Sequence, residues 1–239
     1  MTPEHYLEAL ARDGEALAVA AEGRLDVPVP ACPGWTMGDL VWHTGYVHRH
    51  KIEIVRRGAE GRPPFEGPAD PPDNVLLGWY REGVALLVEI LSEDPDRPAW
   101  SWTDDHTVGF WQRRMAQETA VHRWDAEDAA GRPSPVESEL AADGVDELLG
   151  AFMEQTEGHY AGPAGTVHLH RTDGPGEWVV DLRGERPVVR RGHERCDAAM
   201  RGGASELLLA LWRRRPPETV ELLGDRAVLD GFLAFTDLT

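Results

Sequence analysis

The sequence predicts an α+β protein: an up-down helical bundle over residues 1–158, then a smaller α+β domain over 165–239. Three observations carry that expectation. Apolar residues recur at helical spacing through the first 159 residues and switch to a period of two near Val167. Charge is uneven, with 30 acids against 13 bases up to residue 159 and 12 against 11 after it. A glycine-rich connector, GHYAGPAG, separates the two patterns.

The elements follow in order. Thr2-Pro3 reads as a cap with proline at the first helical position, and Leu7, Leu10, Leu17 and Ala18 keep helical spacing to about Gly23. After the proline-rich VPVPACPGW, Thr36-Met37-Gly38-Asp39 resembles a capping box that opens a second helix carrying Leu40, Val47 and Ile54. GRPPFEGPADPPD (61–73) has too much proline for a helix. A third helix is expected over 74–91 with Leu76, Tyr80, Leu87 and Leu91 inward, and a fourth over 108–130 stopped by Gly131. Ser134 heads a second capping-box pattern, which predicts a fifth helix with Leu140, Leu148, Leu149 and Phe152 apolar. Beyond the connector, Val167 and Leu169 alternate with His168 and His170. Residues 178–182, 187–190 and 219–222 read as strands, and 205–214 and 225–235 as helices.

Composition excludes several classes. With 41% hydrophobic and 28% charged residues the chain is globular, and a net charge of -18 disfavours nucleic acid and anionic lipid as partners. No run approaches a membrane span, and the N-terminus is acidic and amphipathic where a signal peptide would be basic and then apolar, so the expectation is a cytoplasmic monomer or homodimer. Two distant cysteines, Cys32 and Cys196, provide neither a disulfide framework nor a cysteine zinc site. A metal would need histidine and carboxylate. Lys51 is the only lysine, an arginine preference that reads as genomic bias.

The fourth helix carries the most informative stripe: Trp111, Met115, Glu118, His122 and Asp125 fall on one face. Burying Glu118 and His122 there needs compensation, because an unpartnered polar group costs roughly 2–7 kcal/mol. His43 shows the same anomaly between Leu40 and Val47 of the second helix. Two histidines and a carboxylate could satisfy one another through a divalent ion, and zinc accepts that set with a coordination position left open. A surface Glu–His pair and a hydrogen-bonded core histidine explain the same spacing without a metal.

Two segments, ACPGWTMGDLVWHTGYVHRH (31–50) and RRMAQETAVHRWDAEDAAG (113–131), resemble the mycothiol-dependent maleylpyruvate isomerase family, whose N-terminal half is a DinB-like bundle. GGASELLLALWRRR followed by GD resembles the small domain that family appends. The resemblance implies that His43, Glu118 and His122 bind a divalent metal, with zinc the expected ion, and that mycothiol supplies a thiolate. The zinc-bound thiolate would attack a small electrophile, in isomerisation or S-transfer, in a cleft between the domains. With two neutral histidines and a glutamate the ion keeps a formal +1, enough to ionise a thiol of pKa near 8.5 below neutrality. A noncatalytic metal or ligand-binding protein and a zinc-dependent hydrolase use the same three residues. Where relatives read tryptophan or leucine, glycine, arginine, this chain has Trp212-Arg213-Arg214, which leaves the choice of substrate-facing arginine open.

Around that centre, Asp125 is expected to orient a ligand imidazole, and Arg114 and Arg214 are candidates for substrate or thiol binding. An ion pair with Glu118 is the plainer alternative for Arg114. His168 and His170 could chelate a metal, although a solvent-facing strand explains them more simply. His50 is a candidate pocket residue, His48 is expected to be exposed, and Cys32, Trp35 and Trp124 are expected to pack.

Overall fold

A computed structural model describes residues 1–62, 64–153 and 159–236. The chain divides into two compact units, Met1–Ser134 and Pro135–Thr239.

The first unit is a four-helix bundle of α1 (Pro3–Ala21), α2 (Met37–Arg57), α3 (Asp73–Leu91) and α4 (Val108–Ala129). α1 packs on α3 and α4, and α2 packs on the same two, so the consecutive pair α1 and α2 lies diagonally and the 22–36 connection crosses the bundle. The helix starts follow the sequence. Thr2 accepts from His5 N, and Thr36 and Asp39 form a reciprocal capping box, with Thr36 N donating to Asp39 Oδ2 at 2.8 Å. Gly131, expected as the stop of α4, has φ +75, the left-handed conformation in which a side chain is strained.

α4 is the central helix. Sixteen of its residues are buried, among them Gln112, Arg114, Gln117, Arg123 and Asp125, so it is enclosed on nearly every side rather than on one stripe. Its polar side chains are tied to neighbouring elements: Gln112 donates to Leu91 O at 2.7 Å, and Arg123 reaches Asp13 of α1 at 3.4 Å and Glu127 at 2.8 Å. At the α2–α3 seam a methyl group on Gly45 would collide with the Trp79 ring, over which Arg49 stacks at 3.7 Å.

The second unit begins with α5 (Ser138–Glu147), continued by a π-helical stretch, Leu148–Met153. The sequence predicts this helix in the bundle and a boundary at residue 158, which lies outside the described residues. α5 packs instead on α6 (Ala204–Leu211), and the division falls at Ser134. Ser134 is not its cap either. Its hydroxyl donates to Glu127 at 2.6 Å, and Glu137 caps the helix by accepting from Glu139 N and Leu140 N.

A five-stranded sheet follows, ordered β3-β2-β1-β4-β5: β1 (Thr166–Arg171), β2 (Glu177–Asp181), β3 (Val188–Arg191), β4 (Ala198–Gly202) and β5 (Glu221–Gly224). All neighbours pair antiparallel except β1 and β4, which run parallel with Val167 opposite Ala198. β4, sequence AAMRG, was not expected, because it has no β-branched residue and no clear alternation. α7 (Arg226–Phe235) packs on β1 and β4. The helix expected to 214 ends at Leu211, where Arg213 turns the chain with φ +60.

Candidate metal centre

α2 and α4 lie against each other within the bundle, and that packing brings His43 to Glu118 and His122. One donor atom from each can be chosen so that all three lie within 4.8 Å of one another. Glu118 is the hub. Its Oε1 faces both imidazoles, 3.9 Å from His43 Nε2 and 3.5 Å from His122 Nε2, while its Oε2 accepts from Arg114 Nη2 at 2.9 Å. The two histidine rings meet edge to face, 5.4 Å between centroids.

The surroundings orient these groups. His122 Nδ1 lies 2.9 Å from Oδ2 of fully buried Asp125, which leaves Nε2 to point at Glu118. Trp35, at the end of the connector before α2, packs on His43 with ring centroids 4.7 Å apart. Backbone bonds hold the connector, Val29 N donating to Trp35 O at 2.9 Å and Cys32 N to Val29 O at 3.1 Å. Cys32 packs at the core edge with its Sγ 3.9 Å from Asp125 Oδ2.

Electrostatics follow from that packing. Burial pushes the Glu118 carboxyl up, but the hydrogen bond from His122 and the charges of Arg114 and the two imidazoles override it and hold the group well below the usual carboxylate range. Burial pushes His122 down, and its bonds to Asp125 and Glu118 reverse this, raising it to about 9. His43 is lowered by burial and by the charge of His122. A proton on His122 thus stands where a cation can stand. Two imidazole nitrogens and a carboxylate oxygen at these separations suit a borderline divalent ion, since donors at 2.0–2.2 Å from zinc sit about 3.3 Å apart.

The remaining candidates divide. Asp125 is against the His122 imidazole, as its spacing from that residue implies. Arg114 is engaged with Glu118, the plainer of its two expected roles. Arg214 belongs to the second unit, where its Nη1 donates to Trp212 O at 2.9 Å. His48, expected to be exposed, is fully buried with Nε2 2.9 Å from Thr119 Oγ1. Neither does the solvent-face reading of His168 hold, since that residue is 7% exposed.

The sequence motifs do not mark Lys51 or Arg62. Lys51 is half-buried, with its Nζ 3.2 Å from His50 Nδ1 and 5.2 Å from the Trp111 ring centre. Burial lowers its pKa to about 8, with Arg62 and Arg114 pushing the same way against Glu118. Its signal in the sequence was its singularity on the histidine-bearing helix. Arg62 lines a cavity of about 530 Å³ with Tyr46, His50, Pro64 and Phe65. Tyr46 and His50 follow His43 at +3 and +7, on its face of α2.

A family model for the mycothiol maleylpyruvate isomerase N-terminal domain matches residues 6–127, and a model for the MDMPI C-terminal domain matches 139–231. No curated protein matches the chain. Among solved structures, the crystal structure of the mycothiol-dependent maleylpyruvate isomerase is similar with a TM-score of 0.67, and that of a histidine-to-alanine mutant with 0.66. Each is 11% identical over 93% of both chains, a likeness of fold. Among the described residues no helix is long and apolar enough to cross a membrane. On the strength of the two domain models, the chain belongs to the mycothiol-dependent maleylpyruvate isomerase family.

Proposed function

We propose that this protein is a metal-dependent enzyme that joins the sulfur of mycothiol to a small electrophile, the chemistry that its resemblance to the family implies. The observation that carries the reading is the convergence of His43, Glu118 and His122 from two helices, with Arg114 and Asp125 fixing their orientation.

His43 Nε2, His122 Nε2 and Glu118 Oε1 would hold a divalent ion, with zinc best matched to the donor set. When bound, that ion supplies the positive charge that keeps a thiol ionised near neutral pH. The chain's own groups do the rest. Asp125 holds the His122 proton on Nδ1, and Arg114 occupies the second oxygen of Glu118, so one carboxylate oxygen faces the centre. The cavity beside Tyr46 and His50 offers Arg62 to a substrate carboxylate and two aromatic rings to its carbon skeleton. Aligning thiol and electrophile accounts for rate without a covalent protein intermediate.

In the second unit, Arg213 occupies the left-handed position at which the family pattern has glycine, so Arg214 falls where that pattern has its arginine. That register supports Arg214 over Arg213 for a substrate or thiol contact. Low-molecular-weight thiols are kept reduced in the cytoplasm, the compartment this reading requires.

Metal analysis of the purified and reloaded protein, followed by mycothiol consumption with and without maleylpyruvate, tests the proposal. His122→Ala and Glu118→Ala should each lose one equivalent of tightly bound metal and all metal-stimulated thiol turnover. Unchanged metal content in both variants overturns the ligand assignment. Metal without turnover of any thiol or electrophile favours a binding protein, and water-dependent cleavage without thiol favours a hydrolase.

A further inference from the structure

The second unit holds a group of side chains that the thiol chemistry leaves unused. His168 and His170 share one face of β1, and Glu177 opens β2 directly opposite His170 in the antiparallel register. His193 follows β3 by two residues. His170 Nδ1 lies 2.7 Å from Glu177 Oε1, and His193 Nδ1 lies 3.0 Å from Glu177 Oε2. The His168 ring centre is 5.0 Å from that of His193 and 5.7 Å from that of His170. One donor atom from each of the four can be chosen so that all lie within 4.8 Å.

Hydrogen bonding alone does not complete this cluster. The carboxylate of Glu177 is taken by His170 and His193, and His168 Nε2 is left buried with no hydrogen-bond partner, 3.9 Å from Glu177 Oε2. The His168 side chain is only 9% exposed, so water does not readily replace the missing partner. Three imidazoles turned toward one carboxylate are an unusual way to finish a sheet face, and a cation at their centre satisfies every donor at once.

We infer that His168, His170, Glu177 and His193 form a second metal site, closed and structural, for a borderline divalent ion of the zinc class. Three nitrogens and one oxygen suit zinc, nickel or copper and disfavour calcium and magnesium, which take oxygen. Four protein ligands complete a tetrahedron and leave no position for substrate, in contrast with the three ligands in the bundle. Tetrahedral donors stand about 3.3 Å apart, close to the separations already present. His193, with a side chain 72% exposed, has room to make the adjustment. The ion would clamp the segment after β3 onto β1 and β2.

The test uses the full chain, stripped with a chelator and titrated with Zn²⁺ against a chromogenic competitor. His193→Ala, on an exposed side chain, and Glu177→Gln should each bind one equivalent fewer than wild type, or bind that equivalent weaker by roughly a hundredfold or more. Co²⁺ should give a tetrahedral visible spectrum in Glu118→Ala that is lost when His193→Ala is added. Equal zinc stoichiometry and affinity in wild type and both sheet variants overturns the site. A Glu118→Ala protein that takes up no zinc also overturns it, and leaves the bundle centre standing.

Discussion

Asp125 Oδ2 lies 2.9 Å from His122 Nδ1, on the ring nitrogen that Glu118 does not face. That one contact sets the tautomer of the central imidazole, because a donor at Nδ1 leaves Nε2 as the atom that can hold a cation. The arrangement is local to α4, in which residues three and four apart share a face.

Asp125→Asn keeps the size of the side chain and removes its charge. Zinc affinity at the bundle centre should fall by roughly 10- to 100-fold, with the helical circular dichroism unchanged. A loss smaller than about threefold in competition titrations would show that the carboxylate does not act through His122.

With His122 raised to about 9 and Glu118 held ionised, the metal-free centre carries its proton on His122 at pH 7.5. Binding zinc should expel about one proton, and apparent affinity should rise roughly tenfold per pH unit up to about pH 9. Calorimetry in buffers of different ionisation enthalpy, in the His193→Ala background, reads that number directly. Zero protons released would contradict the assignment.

Arg213 is the single non-glycine with positive φ among the described residues. An L-residue in that conformation costs roughly 1–2 kcal/mol, so Arg213→Gly should stabilise the second unit by about 1 kcal/mol, raising its urea midpoint. A lower midpoint would mean that the Arg213 side chain makes contacts worth more than the strain.

His48 is fully buried, and burial lowers its pKa from 6.5 to about 3. The unfolded chain therefore takes up the proton first. Stability is unaffected above pH 6.5 and falls below it by roughly 1.4 kcal/mol per pH unit until about pH 3. His48→Gln should remove about 2 kcal/mol of the loss between pH 7 and pH 5, measured by urea unfolding at the two values. An unchanged pH dependence would show that His48 does not carry it.

Local rules were legible where the residues deciding them are close in sequence. The Thr36–Asp39 capping box, the inward residues Leu76, Tyr80, Leu87 and Leu91 of α3, and the stop at Gly131 all follow from spacings of a few residues. The polar stripe on α4 and the polar His43 on α2 mark three residues that the structure brings together, but burial on α4 is not confined to that stripe. Because α4 is enclosed on most sides, its polar residues mark many buried contacts, and Gln112 and Arg123 share the anomaly without lying at the centre.

Long-range pairing was not legible. β4 becomes a strand because β1 offers it a parallel partner, not because AAMRG favours extended structure. α5 joins the second unit because α6 covers its apolar side, while Ser134, which looks like its cap, is taken by Glu127. His48 and Val47 are neighbours, yet the helix turns His48 fully inward and leaves Val47 half-buried.

Local sequence was enough to specify the helices, the change from helical to strand periodicity, and the types and spacing of donors on α2 and α4. Those are properties of neighbours a few residues apart, for which backbone geometry dictates direction. Chain packing alone brings His43 to face Glu118 across 75 residues of chain, and His193 to join His168, His170 and Glu177 across three strands. Those meetings depend on which apolar faces bury each other, a property of the whole unit and of no single segment.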